Sequence, residues 1–139
     1  MAVVNPYLNF NGNCEEAFNF YKAVFGKEFQ TFTRFGDMEH CAEGEQNKVM
    51  HVAIPLGKDS FLFGSDRPGA YGEGTLGNLF HVAIAAESEA EADKLFNGLS
   101  KGGQPIMPMN KAPWNAYFGM LTDQYGVSWL INYDYAQKG

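Results

Sequence analysis

Two segments of this chain repeat the same pattern of helix start and stop signals, and this repeat constrains the fold more than any other feature. In each segment a capping residue precedes an acidic residue by three positions, and an apolar stripe at helical spacing then runs to a glycine. These residues are Asn13, Glu16 and Gly26 in the first segment and Ser88, Glu91 and Gly102 in the second. The stripes share one register, in which Ala17, Phe20, Tyr21 and Val24 stand 75 positions before Ala92, Leu95, Phe96 and Leu99.

Each predicted helix follows one short alternating strand and precedes three more. The first set of strands covers residues 7–10, 29–35, 48–56 and 60–65, and the second covers 79–85, 104–109, 116–122 and 128–133. The order βαβββ therefore occurs twice, which predicts an α+β fold of two modules. A four-stranded sheet with one helix cannot bury both of its faces, so the two halves, or halves from two chains, must close on each other.

The repeat also sets the domain organisation. Module one covers about residues 4–66, a linker rich in proline and glycine covers 67–77, and module two covers about 78–135. A chain of 139 residues is in the size range of one domain, so we expect the two modules to form a single domain spanning residues 1–139.

Charge and composition exclude several classes of function. The net charge is −6, which argues against a nucleic-acid partner and against adsorption to an anionic membrane. The chain has no apolar run long enough for a membrane span and no signal peptide at its N-terminus, so we expect a cytoplasmic location with no membrane partner. Cys14 and Cys41 have no metal-binding spacing and are expected to be two unpaired thiols.

The paired βαβββ modules resemble the vicinal oxygen chelate superfamily, which includes glyoxalase I, extradiol dioxygenases and the bleomycin and fosfomycin resistance proteins. Within it the sequence resembles the PhnB-like group. The similarity spans nearly the whole chain and rests on Pro6-Tyr7-Leu8, Gly12 to Ala17, Phe20-Tyr21, Gly26, Ser65-Asp66, Trp114, Phe118-Gly119, Asp123, Tyr125 to Val127 and Trp129 to Asn132. The resemblance implies curved mixed sheets that enclose a cavity, and a homodimer.

Catalytic members of that superfamily hold a divalent metal with one ligand from the first and last strand of each module. Here only His81, on the opening strand of module two, is a usual ligand. The corresponding positions elsewhere fall on Pro6 or Tyr7, on the segment 61–64, and on Leu130. We therefore expect no cofactor. The alternative is a divalent metal in an atypical site, rebuilt from His81, His51 and a carboxylate or completed by a partner chain.

Strand alternation selects the side chains that point away from the helices. On the first strand these are Tyr7 and Asn9, and on the last strand Ser128, Leu130 and Asn132. His81 faces the same way, whereas His51 is expected to be a hydrogen-bonded sheet residue and His40 a solvated loop residue. The predicted ligand-binding residues are Tyr7, Asn9, Phe63, His81, Trp114, Phe118, Met120, Leu130 and Asn132.

Two functions remain open. The first is a homodimeric module that binds a small, partly aromatic molecule, since aromatic rings with a few amide, hydroxyl and imidazole groups are typical of small-molecule sites. The alternative is an enzyme of lyase, isomerase or dioxygenase type in which His81 is catalytic, acting in proton transfer or as a metal ligand. The label 3-demethylubiquinone 3-methyltransferase, used in the family, is rejected because such activity is expected on a doubly wound sheet.

Overall fold

The chain folds into two compact units, each with one helix and one four-stranded sheet in the order βαβββ. The structure is a computed structural model that describes residues 2–136, and the units divide between Thr75 and Leu76. Both sheets are mixed, because the first strand of each runs parallel to the last and the other pairs are antiparallel. The predicted α+β class and the repeated module order are confirmed.

Module one has the strand order β1-β4-β3-β2, with the helix α1 on one face. Alternation on β1 buries Leu8 and Phe10 towards α1 and leaves Tyr7 and Asn9 exposed. The apolar stripe of the helix is buried at Cys14, Ala17, Phe18 and Tyr21. The elements are β1 (Tyr7–Phe10), α1 (Cys14–Phe25), β2 (Thr31–Arg34), β3 (Val49–Pro55) and β4 (Phe61–Asp66).

Module two has the order β5-β8-β7-β6 and is built in the same way. Trp129 and Ile131 of β8 are fully buried, as is Leu121 of β7. The buried helix residues are Ala92, Leu95, Phe96 and Leu99, which are those of the predicted stripe. The elements are β5 (Val82–Ala85), α2 (Glu89–Ser100), β6 (Gln104–Ala112), β7 (Ala116–Thr122) and β8 (Ser128–Asp134).

Several predicted strand ends were wrong, and the largest error concerns the opening strand of module two. That strand was expected over 79–85 but begins at Val82, so His81 lies just outside it. Its first paired residue is Val82, opposite Trp129, and residues 79 and 80 extend past the start of β8 at Ser128. The strand expected over 29–35 is shortened to Thr31–Arg34, and β6 continues to Ala112 because its hairpin with β7 closes there.

The start of α1 was predicted at the right residue, after Asn13, but the group that caps it was predicted wrongly. Asn13 makes no side-chain capping hydrogen bond. Instead the carboxylate of Asp66, at the end of β4, accepts the backbone N–H of Cys14 at 2.9 Å through Oδ1 and that of Val49 at 2.8 Å through Oδ2. Asp66 is only 2% exposed. A buried carboxylate therefore replaces the local cap and joins α1, β3 and β4.

The other helix ends follow the sequence signals. The Ser88 hydroxyl accepts the Glu91 N–H at 3.0 Å, and the Glu91 carboxylate accepts the Glu87 N–H at 2.8 Å. Gly26 ends α1 in the left-handed conformation, with φ of 64°.

A second buried carboxylate organises the hairpin between β7 and β8. Asp123 is 3% exposed, and its Oδ1 accepts the N–H groups of Tyr125 and Val127 at 2.8 and 3.1 Å. Its Oδ2 accepts the indole N–H of Trp129 at 2.8 Å. The turn and the largest core side chain of module two are thus held by one carboxylate.

The linker contains a short 3-10 turn at Gly69–Tyr71 rather than extended chain. Arg67 donates from its guanidinium to the carbonyls of Gly72 and Tyr71, and the Asn11 amide exchanges two hydrogen bonds of 2.9 Å with the backbone of Gly74. The first part of the linker therefore packs with module one. Among the described residues no helix has the length and apolar character to cross a membrane.

We expect Asp66→Ala to lower the free energy of unfolding by about 2–4 kcal/mol, because two buried backbone N–H groups lose their acceptor. Urea denaturation followed by circular dichroism measures the change. Asp59→Ala, at an exposed turn, is the control and should change stability by less than about 0.5 kcal/mol. Equal stability of the two variants would contradict the structural role of Asp66.

Gly64 of β4 lies against the buried ring of Phe18, and a Cβ atom at this position would collide with that ring. Gly64→Ala should therefore destabilise the fold by about 1–3 kcal/mol through overpacking. In Gly74→Ala the added Cβ has only ordinary contacts with Arg67, so this variant is the matched control. Thermal melting of both variants tests the prediction, which fails if the melting temperatures fall equally.

Candidate functional site

The face of the module-one sheet that points away from α1 is called the module-one open face here. Strand register brings the predicted residues Tyr7 and Asn9 beside Phe63 and Ser65 respectively. The Ser65 hydroxyl donates to Asn9 Oδ1 at 3.1 Å. Tyr7, Asn9 and Phe63, which were singled out from sequence, therefore share one face.

An aromatic cluster covers part of this open face. The rings of Tyr7 and His51 lie 5.8 Å apart between centroids, and each also contacts Phe63, at 6.0 and 5.4 Å. Phe61 stacks on Phe63 at 5.5 Å with an interplanar angle of 11°. The Tyr7 hydroxyl and His51 Nδ1 are 3.3 Å apart, which is hydrogen-bond distance. A polar pair thus sits within an apolar aromatic surface.

The module-two open face, again the face away from the helix, contains a compact block of four predicted residues. Phe118 pairs with Asn132, and Met120 pairs with Leu130, on the adjacent strands β7 and β8. Because directly paired residues point to the same side of a sheet, all four side chains share this face. The alternation that assigned Trp129 and Ile131 to the core therefore also assigned the open face correctly.

Trp114 lies in the turn between β6 and β7 and is 61% exposed. Its ring meets the Phe118 ring edge-on, with centroids 5.4 Å apart. Tyr117, which precedes Phe118 on β7, points to the helix side of the sheet. Its hydroxyl donates to Asp93 of α2 at 2.7 Å, and this hydrogen bond raises the pKa of Tyr117 to about 12.

His81 is half-buried and directly precedes β5. Its position alternates with that of Val82, so it has the parity of Ala83, which pairs with Leu130 on the module-two open face. His40 is exposed in a loop. The two cysteines are free thiols, and burial raises the pKa of the Cys14 thiol, which makes this residue an unreactive core group.

Sequence reasoning did not select His51, Phe61 or Ser65 as ligand-binding residues, and it considered His51 only for an atypical metal site. The structure confirms that His51 is hydrogen-bonded in the sheet, but its partner is the hydroxyl of a predicted site residue, Tyr7. Strand alternation was the available signal. Val52 and Ile54 are fully buried towards the helix, so His51 and Ala53 point to the opposite face of the sheet. What the sequence lacked was the strand order, which places β4 between β1 and β3.

The donor set does not fit the usual metal centre of the superfamily. The superfamily takes one ligand from the first and last strand of each module. Of these four positions only one holds an imidazole, that of His81, and the others fall at or next to Pro6, Phe63 and Leu130, which are not metal ligands. Within residues 2–136 no three His, Cys, Asp or Glu side chains are grouped so that they could hold a metal ion. The described residues do not assemble such a site from other positions.

Solved structures place this fold in a known class. A glyoxylase/bleomycin resistance protein/dioxygenase domain from Frankia sp. EAN1pec matches 96% of this chain and 98% of its own length with a TM-score of 0.64. The two share 14% sequence identity, so the match concerns the fold alone. The chain has the fold of the glyoxalase/bleomycin resistance/dioxygenase superfamily.

More similar proteins define the family. PA1353 from Pseudomonas aeruginosa is 38% identical, with a TM-score of 0.85 over 96% of this chain and 98% of that protein. A PhnB protein from Bacillus cereus, described as a putative 3-demethylubiquinone-9 3-methyltransferase, is 27% identical, with a TM-score of 0.74 over 95% of this chain and 99% of its own. The sequence model of the family described as 3-demethylubiquinone-9 3-methyltransferase matches residues 2–132. The chain belongs to this PhnB-like family of the superfamily.

Proposed function

We propose that this PhnB-like protein binds a small, partly aromatic molecule in the cavity that the superfamily fold implies, without the usual metal centre. The observation that supports the proposal is the character of the open faces, where aromatic rings lie next to uncharged hydrogen-bonding groups. Tyr7 and Phe63 adjoin Asn9 in module one, and Phe118 adjoins Asn132 in module two. Such a mixture of apolar wall and few polar groups is typical of small-molecule sites.

The second candidate is an enzyme of the same superfamily, of lyase, isomerase or dioxygenase type, in which His81 is catalytic. Its support is the position of His81, which has the parity of the module-two open face and directly precedes β5, the strand from which the superfamily takes a metal ligand. A neutral imidazole can act as an acid or base or can bind a divalent metal. The proposed function does not include methyl transfer, because both sheets are four-stranded βαβββ sheets rather than doubly wound ones.

Metal content separates the two candidates. We expect protein purified without chelator to contain well below one equivalent of divalent metal per chain, because one histidine is too few protein ligands to retain an ion. Elemental analysis, together with melting curves in the presence of Mn²⁺, Ni²⁺ and Zn²⁺, provides the measurement. Stoichiometric metal that is lost in His81→Ala and kept in the control His40→Ala would favour the enzyme. Mass spectrometry of any molecule that copurifies would identify the ligand directly.

We also propose a homodimer. Several large apolar side chains outside the predicted ligand-binding residues are exposed on the described chain, among them Leu79 at 97%, Phe80 at 64% and Ile106 at 57%. Burying such groups is favourable, at roughly 25 cal/mol per Å². We expect light scattering at micromolar concentration to give the mass of two chains, and a particle with the mass of one chain would contradict the proposal.

A further inference from the structure

His51 and Tyr7 form a hydrogen-bonded pair on the module-one open face. Among the described residues it is the one pair of an imidazole and a hydroxyl on that face. His51 Nδ1 lies 3.3 Å from the Tyr7 hydroxyl oxygen. His51 is half-buried and Tyr7 is 47% exposed, so a small molecule can reach the pair. With Nδ1 engaged, Nε2 is the ring nitrogen left for a ligand.

The chemistry of this pair favours one kind of ligand group. In a neutral imidazole one nitrogen donates and the other accepts. If the Tyr7 hydroxyl donates to Nδ1, Nε2 carries the proton and donates to the ligand. If Nδ1 donates to the Tyr7 oxygen, Nε2 accepts from the ligand instead. A ligand hydroxyl both donates and accepts, so it can bond to Nε2 in either state, whereas a carbonyl or an ammonium group can bond in only one.

The surroundings of the pair favour an aromatic ligand without formal charge. Phe63 contacts both rings of the pair, and Phe61 extends the apolar surface by stacking on Phe63. Aromatic rings pack well against such a surface in offset or edge-on contacts. The strand positions on this face carry no Asp, Glu, Lys or Arg, so a charged ligand would lose water without gaining an opposite charge. These positions are Tyr7, Asn9, Thr31, Thr33, His51, Ala53, Pro55, Phe61, Phe63 and Ser65.

We propose that Tyr7 and His51 recognise the hydroxyl group of a phenol whose ring packs against Phe61 and Phe63. The inference rests on the proposed small-molecule binding function and names the ligand class for it. It makes His51 a binding residue, a role for which the sequence alone offered only a structural explanation.

Paired probes test the hydroxyl directly. Calorimetric titration of the full chain compares 4-methylphenol with 4-methylanisole, in which a methyl group replaces the hydroxyl hydrogen. The methyl group removes the donor and crowds the oxygen as an acceptor, so it weakens the bond to Nε2 in either state of the imidazole. We expect 4-methylphenol to bind roughly threefold to tenfold more tightly, which corresponds to one hydrogen bond. His51→Phe keeps a ring and removes both nitrogens, and Tyr7→Phe removes only the hydroxyl. Both variants should lose most of the preference, while His40→Phe, in the exposed loop, should keep it.

A second measurement on the unmodified chain covers the case in which a variant does not fold. The imidazole Hε1 resonances of the three histidines are followed by NMR during the same titrations, after assignment with the His40→Phe and His81→Phe variants. The His51 signal should move more with 4-methylphenol than with 4-methylanisole, while the His40 signal stays unchanged.

The outcomes separate this inference from the function on which it rests. Equal affinity for both probes, no binding of either, or a preference that survives in His51→Phe would overturn the phenol site. None of these results would exclude another small molecule at the open faces, and that question is decided by the copurified ligand. Strong 4-methylphenol binding that depends on His81 and leaves the His51 signal unmoved would support the proposed function and reject this site.

Discussion

The buried carboxylate of Asp66 is the interaction on which the arrangement of module one depends. It takes up the first backbone N–H of α1 and the first of β3, and it belongs to β4 itself. A carboxylate removed from water requires strong hydrogen bonds, and these two charge-assisted bonds to the backbone provide them. They fix where the helix begins over the sheet face that Leu8 and Phe10 bury. Tyr7, His51 and Phe63 are consequently on the face that remains available.

Module two reaches the same topology with a different carboxylate. Asp123 bonds to its own hairpin and to the indole of Trp129, whereas the cap of α2 is local and comes from Ser88. The repeat is thus one of element order and helix register rather than of individual polar contacts. The backbone topology is common to both modules, and each stabilises it with the polar groups that its own turns bring into the core.

On the open faces, the set of donor residues that the usual metal centre of the superfamily needs is incomplete. Positions that would need His, Glu or Gln hold proline or tyrosine, phenylalanine and leucine, and only His81 has a suitable donor. Aromatic and aliphatic side chains at these positions suit packing against an uncharged ring more than coordination of a cation. The polar groups that remain, such as Asn9, His51 and Asn132, are few and lie beside rings.

The sequence determined the local structure of this protein more fully than its tertiary contacts. Helix signals and strand alternation were enough for the module order, the ends of α1 and α2 to within a residue, and the outward parity of Tyr7 and Asn132, because these depend on neighbours a few residues apart. Three features depended on distant residues or on a partner strand. Asp66 caps α1 from 52 positions away, His51 contacts Tyr7 across 44 positions, and the start of β5 after His81 depends on pairing with β8. Only tertiary structure decided these, since strand order and register determine which distant side chains meet, and local sequence pattern contains neither.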